Sequence, residues 1–419
     1  MRPRRASSRP SGENAAGAPR EHGEQEAHLV LDQFVAIDRG ALDVRRIAIG
    51  MIGHGFMGAA HANAFQKLPG AFPDLRAWPD LVAICGRDSA RVADVALRFG
   101  FGGYYKDWRA LIGDPRIEIV DVVTPDDRHR DPVIAAAAAG RHVICEKPLA
   151  MTVTDAAAML EAVERAGVKH LCCFSYRFLP AVRLARELVA SGALGRIYHF
   201  RGRYLQQPGR DPSTPVEDIW YATGTASGVL LGIGSHIIDM ARFLVGEIAS
   251  VSGLTRTYTP TRPDRSGALR PVTADEGNMA LLEFASGATG TIESSGVATG
   301  RQNGQTWEIS GSLGSLWWDL EDPHHLHVWT EADGGIRGFT NVSVSDQGSP
   351  HQVVYLPPGH NWGWEYGHVY ALRHFVECVA MDRPVGPEGA TFEDGYRAQV
   401  TMEAIVASSR TGRRINLKY

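Results

Sequence analysis

Apolar runs of strand length alternate with helical segments through the first half of this chain. Each run is largely continuous, as expected for strands buried on both faces of a parallel sheet. Strands joined by helices at this spacing predict right-handed βαβ units and a doubly wound α/β sheet. We place this domain at residues 43–176. The predicted strands are 47–52, 81–85, 117–123, 142–145 and 168–174, and the predicted helices are 56–67, 89–98, 132–139 and 155–166, the last with Thr154 as its N-cap.

The pattern changes after residue 176, where strand-like segments follow one another with turn signals such as Ser286-Gly287 between them. This order predicts an α+β domain over 177–419 with a large, mostly antiparallel sheet. The predicted strands are 197–205, 251–258, 279–284, 289–294, 306–309 and 315–318, and the predicted helices are 180–191, 364–381 and 394–411. Residues 1–42 open with a stretch rich in Arg, Ser, Gly and Pro, and we expect a largely disordered tail.

Composition and charge narrow the possible functions. The chain has 419 residues and a formal net charge of −4, so no overall basic field points to nucleic acid. No apolar run approaches the roughly 18 residues that span a bilayer, and we expect no membrane segment. The cysteines are odd in number and lack Cys-x-x-Cys spacing. That pattern favours free thiols in a reducing, cytoplasmic setting over disulfides or a zinc site.

The first predicted strand runs directly into a turn with Gly-x-Gly-x-x-Gly spacing. Gly53 would permit the tight turn, Gly55 would let the backbone approach a pyrophosphate, and Gly58 would let the next helix pack against the strand. A helix beginning at Phe56 would direct its free N–H groups at the phosphates. Glycines also occur in ordinary turns, so the prediction of a dinucleotide site depends on the strand before the motif and the helix after it.

Two further strand ends carry polar residues at the edge where open parallel sheets bind ligands. Thr124, Pro125 and His129 follow the third strand, and Glu146-Lys147-Pro148 follows the fourth. A partly buried lysine beside a nicotinamide could donate or accept a proton, although a lysine at a strand end is also common on surfaces. The predicted cofactor contacts are Gly53, Gly55, Phe56, Met57, Gly58, Arg87, Asp88, Thr124, Pro125, His129, Glu146 and Lys147.

The end of the second strand bears on the choice between NAD and NADP. NAD sites usually have Asp or Glu there to bind the ribose 2′-hydroxyl, but here Gly86 follows Cys85. Arg87 could hold a 2′-phosphate or stack on adenine, and Asp88 could bind the ribose or only cap a helix. We favour NAD, with NADP as the alternative.

Several segments form one combination of motifs. They are the glycine turn 53–58, Thr124-Pro125 with His129, Glu146-Lys147-Pro148, Tyr176-Arg177-Phe178 and the Gly-x-His-x-x-Asp segment 234–239. This combination resembles the Gfo/Idh/MocA family of oxidoreductases, from about residue 45 to the C-terminus. The resemblance implies a Rossmann domain, an open-faced C-terminal sheet, and hydride transfer at a carbinol carbon of a sugar, cyclitol or glycoside. It also implies Lys147 and His236 as acid–base residues. Segments 204–207 and 211–215 resemble the inositol and glucoside dehydrogenase branch.

One position departs from the family pattern. The family commonly has Asp four residues before the motif histidine, and this chain has Gly232 there. His236 could act with Lys147 alone, or the chain could be catalytically weak or inactive. Another carboxylate could also substitute, namely Glu217, Asp218 or Asp239. We favour activity, with or without a substitute, because both proton-transfer candidates are present.

Substrate contacts are expected from the second domain, where tryptophan faces could stack on sugar rings or simply fill a core. His236 begins a predicted helix, where a histidine could also cap or pack. The predicted substrate contacts are Arg177, Tyr204, Trp220, His236 and Trp362. We assign no metal site, since the neighbours of the histidines at 324, 325 and 327 suggest an exposed turn.

The leading hypothesis is an NAD(P)-dependent dehydrogenase for a sugar-like alcohol. Two alternatives stay open: a glycosidase that oxidises, eliminates and re-reduces with bound NAD, and a non-catalytic sensor of a sugar or nucleotide on the same fold. The wide second sheet needs cover for an apolar face, which predicts a homo-oligomer, either a dimer or a tetramer.

Overall fold

The computed structural model describes residues 44–222, 228–331, 338–346 and 355–419. The predicted tail, 1–42, lies outside these residues. The described strands are β1 Arg46–Ile52, β2 Trp78–Cys85, β3 Tyr104–Tyr105, β4 Ile119–Val122, β5 His142–Cys145, β6 His170–Cys172, β7 Ile197–Leu205, β8 Ile248–Arg256, β9 Thr261–Pro263, β10 Leu269–Pro271, β11 Gly277–Phe284, β12 Thr289–Ser295, β13 Gly304–Gly311, β14 Gly314–Asp319, β15 His325–Thr330, β16 Thr340–Ser343 and β17 Ile415–Asn416. The described helices are α1 Phe56–Ala71, α2 Ser89–Arg98, α3 Trp108–Gly113, α4 Arg130–Ala138, α5 Val153–Ala166, α6 Pro180–Ala190, α7 Ser235–Val245, α8 Tyr366–Ala380 and α9 Phe392–Thr411.

The first six strands form one sheet with the order β3-β2-β1-β4-β5-β6. All its neighbours pair in parallel, and the order reverses between β1 and β4, as in a doubly wound fold. Every position of β4 is buried, which is why its sequence is apolar apart from Asp121. The predicted Rossmann-type α/β fold is confirmed, and the carboxyl ends of its strands meet at one edge.

The second sheet has nine strands in the order β16-β15-β14-β13-β7-β12-β11-β8-β17. Among its described pairs, β7 and β12 run parallel and the others antiparallel. One face packs against α7 and α9. On β11, Ala280 and Leu282 point to that buried face, while Met279 and Leu281 are exposed on the other. The predicted large, mostly antiparallel and open-faced sheet is therefore confirmed.

The differences from the predicted elements are local. Thr152, and not Thr154, caps α5, because its hydroxyl oxygen accepts the backbone N–H of Asp155. The sequence did not predict the short elements β3, α3, β9, β10, β15, β16 and β17. The exposed turn predicted at residues 324–327 is wrong, since His325 and His327 lie on β15 and His324 is buried. No helix in the described ranges is both long and apolar enough to cross a membrane.

Candidate active site

The glycine turn between β1 and α1 has three positions with different steric demands. Gly53 has φ +116°, and a Cβ there would lie 2.5 Å from the Val123 carbonyl oxygen. A Cβ on Gly58 would lie 2.7 Å from the Gly53 oxygen, so the turn and α1 are in close backbone contact. A Cβ on Gly55 would meet no atom within 4 Å. That open space, at a helix N-terminus with no side-chain cap, fits the approach of a pyrophosphate.

A groove of about 1230 Å³ follows the carboxyl edge of the parallel sheet. Thr124 lines it, and its buried hydroxyl has no hydrogen-bond partner among the described residues, so a ligand could satisfy it. His129 does not line the groove. It is fully buried, with Nδ1 and Nε2 each 3.0 Å from the carbonyl oxygens of Pro148 and Thr124. In this structure His129 joins two strand-end loops and is not among the residues that line the groove. The predicted cofactor residues that do line the groove are Gly53, Gly55, Phe56, Met57, Arg87, Thr124 and Pro125.

The residues after β2 divide between the groove and the next helix. Gly86 and exposed Arg87 line the groove. Asp88 does not, because its Oδ1 accepts the backbone N–H groups of Ala90 and Arg91 at 3.1 and 3.2 Å. Of the two roles that the sequence left open for Asp88, the geometry supports the helix cap.

A second cavity of about 540 Å³ adjoins this groove. Phe56, Met57 and Trp220 line both spaces. Lys147, which follows β5, and His236, which lies on α7, line the second cavity together. The two acid–base candidates therefore face one space, next to the N-terminus of α1.

Burial and hydrogen bonding set the state of these two residues. Lys147 Nζ donates a 2.9 Å hydrogen bond to the carbonyl oxygen of Gly232, which lies in a π-helical turn, a feature frequent at functional sites. His236 is 6% exposed and stacks on the ring of Tyr176 with centroids 4.5 Å apart. Burial lowers the pKa of His236 well below 6.5, and the charge of Lys147 lowers it further. His236 is therefore neutral at physiological pH and can accept a proton.

Aromatic and amide side chains form a hydrogen-bonded wall of the cavity. Trp364 Nε1 donates to the Tyr176 hydroxyl at 2.9 Å, and the Tyr204 hydroxyl donates to Asn303 Oδ1 at 2.7 Å. The two tyrosine hydroxyls are themselves 2.9 Å apart, and Gln206 donates to the same Asn303 oxygen. Rings with fixed polar groups suit a polyhydroxylated ligand, because they offer both stacking faces and oriented hydrogen bonds.

Glu146 lies at the floor of the cavity and is 3% exposed. Its Oε1 is 3.0 Å from His61 Nε2, and its Oε2 accepts the backbone N–H of Lys147 at 3.1 Å. Burial alone would raise the pKa of Glu146, but the hydrogen bond and charge of His61 outweigh it and lower that pKa. Glu146, predicted as a cofactor contact, lines this cavity and not the groove of the glycine turn.

Two predicted substrate contacts lie away from the cavity. Arg177 is 2% exposed because its guanidinium binds the carboxylates of Asp239 and Asp394. Trp362 is buried with its ring centroid 4.3 Å from that of His324. Each side chain makes a buried contact with other residues of the chain, and neither is among the residues that line the cavity. Tyr204, Trp220 and His236, the other predicted contacts, do line the cavity.

The space beside Gly232 is taken by an indole ring. A Cβ on Gly232 would lie 2.2 Å from Cζ3 of Trp220 and 2.6 Å from its Cη2. Glu146 is the one carboxylate among the described residues that line the cavity. Of the three candidate substitutes, Asp239 is paired with Arg177, Asp218 is paired with Arg265 at the surface, and Glu217 is exposed; none lines the cavity. The described residues thus place no substitute for the missing family carboxylate in the cavity.

Comparison with known proteins decides the family. The model described as "Oxidoreductase family, NAD-binding Rossmann fold" matches residues 47–173, and the model "GFO/IDH/MocA C-terminal domain" matches residues 182–317. Levoglucosan dehydrogenase of Pseudarthrobacter phenanthrenivorans is 37% identical over 380 residues, or 87% of this chain and 97% of that relative. This chain belongs to the Gfo/Idh/MocA family of oxidoreductases. The predicted family and its NAD-binding Rossmann domain are confirmed.

Other Gfo/Idh/MocA proteins agree with this result. Myo-inositol 2-dehydrogenase of Thermotoga maritima is 30% identical over 374 residues, which cover 88% of this chain and 98% of that relative. A solved structure of levoglucosan dehydrogenase in complex with NADH and L-sorbose has a TM-score of 0.85 and 36% identity. It covers 90% of this chain and 100% of its own. These relatives are named as dehydrogenases of a sugar and a cyclitol, which confirms the predicted enzyme class.

Several residues in or directly behind the cavity of this Gfo/Idh/MocA protein were not predicted from its sequence. His61 could have been found, because it lies at helical spacing from Gly58 and Phe65 on the buried face of α1. Asn303 and His368 carry no comparable local signal, since they reach the cavity from a loop and from α8. Tyr176, Gln206 and Trp364 lay within segments that the sequence had singled out, but without an assigned contact.

Proposed function

We propose that this protein is an NAD-dependent dehydrogenase that oxidises a secondary hydroxyl of a sugar, cyclitol or glycoside. The main support is that Lys147 and His236 line one cavity beside the groove of the glycine turn. Lys147 lies between β5 and β6 of the first sheet, and His236 lies between β7 and β8 of the second. We infer that the chain divides into domains 43–176 and 177–419, and that the substrate binds where they meet.

The side chains suit the removal of a proton from an alcohol. NAD, when bound, accepts the hydride from the carbinol carbon. Neutral His236 accepts the hydroxyl proton as the carbon becomes a carbonyl carbon, and the Lys147 ammonium stabilises the oxygen while it carries negative charge. The carbonyl oxygen of Gly232 holds one N–H of Lys147, which leaves two donors for the substrate.

The cavity wall supports a polyhydroxylated ring as the substrate. Trp220 is 42% exposed and presents its indole at the junction with the groove. Tyr204 and Gln206 present polar groups on β7 and just beyond it, so a sugar could stack on a ring and bind polar groups at once. The names of the relatives, which act on levoglucosan and inositol, are consistent with such a ring.

We propose NAD as the preferred cofactor. The structure of a relative with NADH supports this choice, and the open space at Gly55 fits either dinucleotide. Arg87 is exposed at the end of β2 and leaves NADP as the alternative. Calorimetric titration with NAD and with NADP would measure the preference directly, with tighter binding of NAD expected.

A spectrophotometric screen of sugars, cyclitols and glycosides with NAD tests the function. We expect NADH formation with at least one pyranose or cyclitol. Lys147→Met should abolish this turnover while leaving the dissociation constant for NAD nearly unchanged, because Lys147 faces the second cavity and not the groove. Lys418→Met, at an exposed C-terminal position, is the matched control. A Lys147→Met variant that kept most of its activity would refute the assignment.

The same screen separates the two alternatives. A redox-neutral glycosidase would release product from a glycoside with no net NADH. A sensor would bind a sugar or nucleotide with no chemical change, and the absence of a carboxylate at Gly232 is the observation that favours it. Product analysis beside the absorbance measurement distinguishes these outcomes.

We also propose that the protein is a cytoplasmic homo-oligomer, a dimer or tetramer. The open face of the second sheet exposes Leu254, Met279 and Leu281, at 43%, 52% and 62%. A second copy of the chain would cover this face with matching apolar side chains. The five cysteines are free and buried, which supports a reducing compartment.

A further inference from the structure

A buried trio of charged side chains lies behind the cavity floor: Asp121, His61 and Glu146. Asp121 belongs to β4, His61 to α1, and Glu146 follows β5. Asp121 and His61 are fully buried, and Glu146 is 3% exposed. His61 Nδ1 is 2.9 Å from Asp121 Oδ2, and His61 Nε2 is 3.0 Å from Glu146 Oε1.

These partners determine the charge of His61. Burial raises the pKa of Asp121, and the charge and hydrogen bond of His61 oppose that rise. When both carboxylates are ionised they only accept hydrogen bonds, so both ring nitrogens donate and the ring is an imidazolium. Burial alone would lower the pKa of His61, but the charge and hydrogen bond of Asp121 raise it well above 6.5. The positive ring compensates two carboxylates that would otherwise be buried close together.

Glu146 connects this trio to the acid–base pair. Its Oε2 accepts the backbone N–H of Lys147 at 3.1 Å, while the amine of the same lysine is held by the carbonyl oxygen of Gly232. We propose that His61 is a positioning residue whose imidazolium holds Glu146 as an ionised, oriented carboxylate, and that Glu146 in turn fixes Lys147 beside His236. This inference rests on the proposed function, in which Lys147 and His236 are the acid–base pair.

The groups that face Glu146 come from several elements. His61 lies on α1, His236 on α7, His368 on α8 and Asp121 on β4, with Lys147 and Cys173 at neighbouring strand ends. Burial lowers the pKa of His368 to about 3 and raises that of Cys173 to about 12, so both are neutral. Glu146 is therefore the anion that opposes the charge of Lys147 within the described part of the cavity.

The alternative to a proton on His61 Nε2 is a divalent metal ion bound by the same group of side chains. His61, Glu146, Cys173 and His368 bring their ligand atoms within 4.8 Å of one another. Asp121 would then orient a metal-bound His61, as carboxylates often do. Nε2 of His61 lies 3.0 Å from the Glu146 oxygen, a normal hydrogen-bond distance, and the proposal places a proton between them. A metal needs a free lone pair on that nitrogen, which an imidazolium lacks.

Three variants test the positioning role, namely His61→Gln, Glu146→Gln and the double variant. We expect each to lower kcat roughly 100-fold with the affinity for NAD retained, because Lys147 would be misplaced by a fraction of an ångström to an ångström. In His61→Gln alone, Glu146 loses its partner and burial raises its pKa, so a new loss of rate toward acid pH should appear. The double variant should be no slower than Glu146→Gln and should lack that loss.

His374→Gln is the control. His374 lies on α8, hydrogen-bonds the Val385 carbonyl oxygen and does not line the cavity. Nitrogen-15 histidine spectra of the wild-type chain give a second measurement that needs no turnover. We expect an imidazolium signal that persists above neutral pH and is absent in His61→Gln. A neutral His61, stoichiometric zinc in the purified protein, or an unchanged kcat in His61→Gln would each overturn the proposal. A wild-type chain that oxidises no alcohol would refute the proposed function, while these spectra would still decide the charge of His61.

Discussion

Replacing Gly232 with alanine is the sharpest test of how the cavity is built. The added Cβ would lie 2.2 Å from Trp220 Cζ3, whereas carbon atoms in contact are normally about 3.5–4.0 Å apart. The indole must therefore move by more than about 1 Å. Trp220 is 42% exposed, so its ring can move outward, but it then loses its contacts with the cavity.

The loss of stability in Gly232→Ala can be estimated from the apolar area that the Trp220 ring buries. A tryptophan buries about 150–250 Å² when it is fully enclosed, so complete expulsion would expose on the order of 100 Å² of apolar surface. At about 25 cal/mol per Å² this amounts to about 2–3 kcal/mol, and partial movement costs less. We expect Gly232→Ala to lower the free energy of unfolding by about 1–3 kcal/mol and to raise KM for the sugar.

A double-mutant cycle separates this steric effect from other effects of the added methyl group. Urea unfolding and steady-state kinetics would be measured for Gly232→Ala, Trp220→Ala and the double variant. In the Trp220→Ala background the new methyl has no ring to displace, so its cost should largely disappear. An equal cost in both backgrounds, or no cost in the wild type, would refute the contact. Gly232→Asp should likewise need Trp220→Ala before it restores a family-like carboxylate.

Three further predictions concern other parts of the molecule. Asp88→Ala should lower the free energy of unfolding, measured by thermal unfolding, by about 0.5–2 kcal/mol because it removes the helix cap. The dissociation constant for NAD should not change, and weaker NAD binding would contradict the capping role. Leu281→Lys should shift the light-scattering mass toward the monomer, whereas Leu269→Lys on the β10 hairpin should not, and equal effects would contradict the proposed interface. Because burial and Lys147 hold the pKa of His236 below 6.5, kcat/KM for oxidation should show no acid loss above pH 6.5, and an acid midpoint at or above that pH would contradict His236 as the base.

The residues that the sequence identified are those whose role is imposed locally. The steric demand at Gly53 and Gly58 comes from adjacent backbone, and the position of Lys147 follows from its place at a strand end. Such features can be predicted because a few neighbouring residues determine them. The continuous apolar runs of the first sheet and the strand-like segments with turn signals of the second could be predicted for the same reason.

Residues misassigned from the sequence depend on contacts between distant segments. Arg177 belongs to a motif near the cavity, but Asp239 and Asp394, on α7 and α9, draw its guanidinium into the core. The packing of Trp220 against Gly232 joins two separate segments, and no local pattern encodes it. His61 is a polar residue on an apolar helix face, so its burial requires hydrogen-bond partners although no motif includes it.

The missing carboxylate at position 232 leaves few candidates for the proton acceptor. Glu146 is the nearest alternative, yet His61 and the backbone of Lys147 engage both of its oxygens. The Lys147 amine donates to the Gly232 carbonyl oxygen and faces the substrate as a donor. His236 is neutral, lines the same space and stacks on Tyr176, which holds its ring in place. The proton of the alcohol therefore passes to the imidazole, and the buried charge of Glu146 favours the imidazolium that forms there.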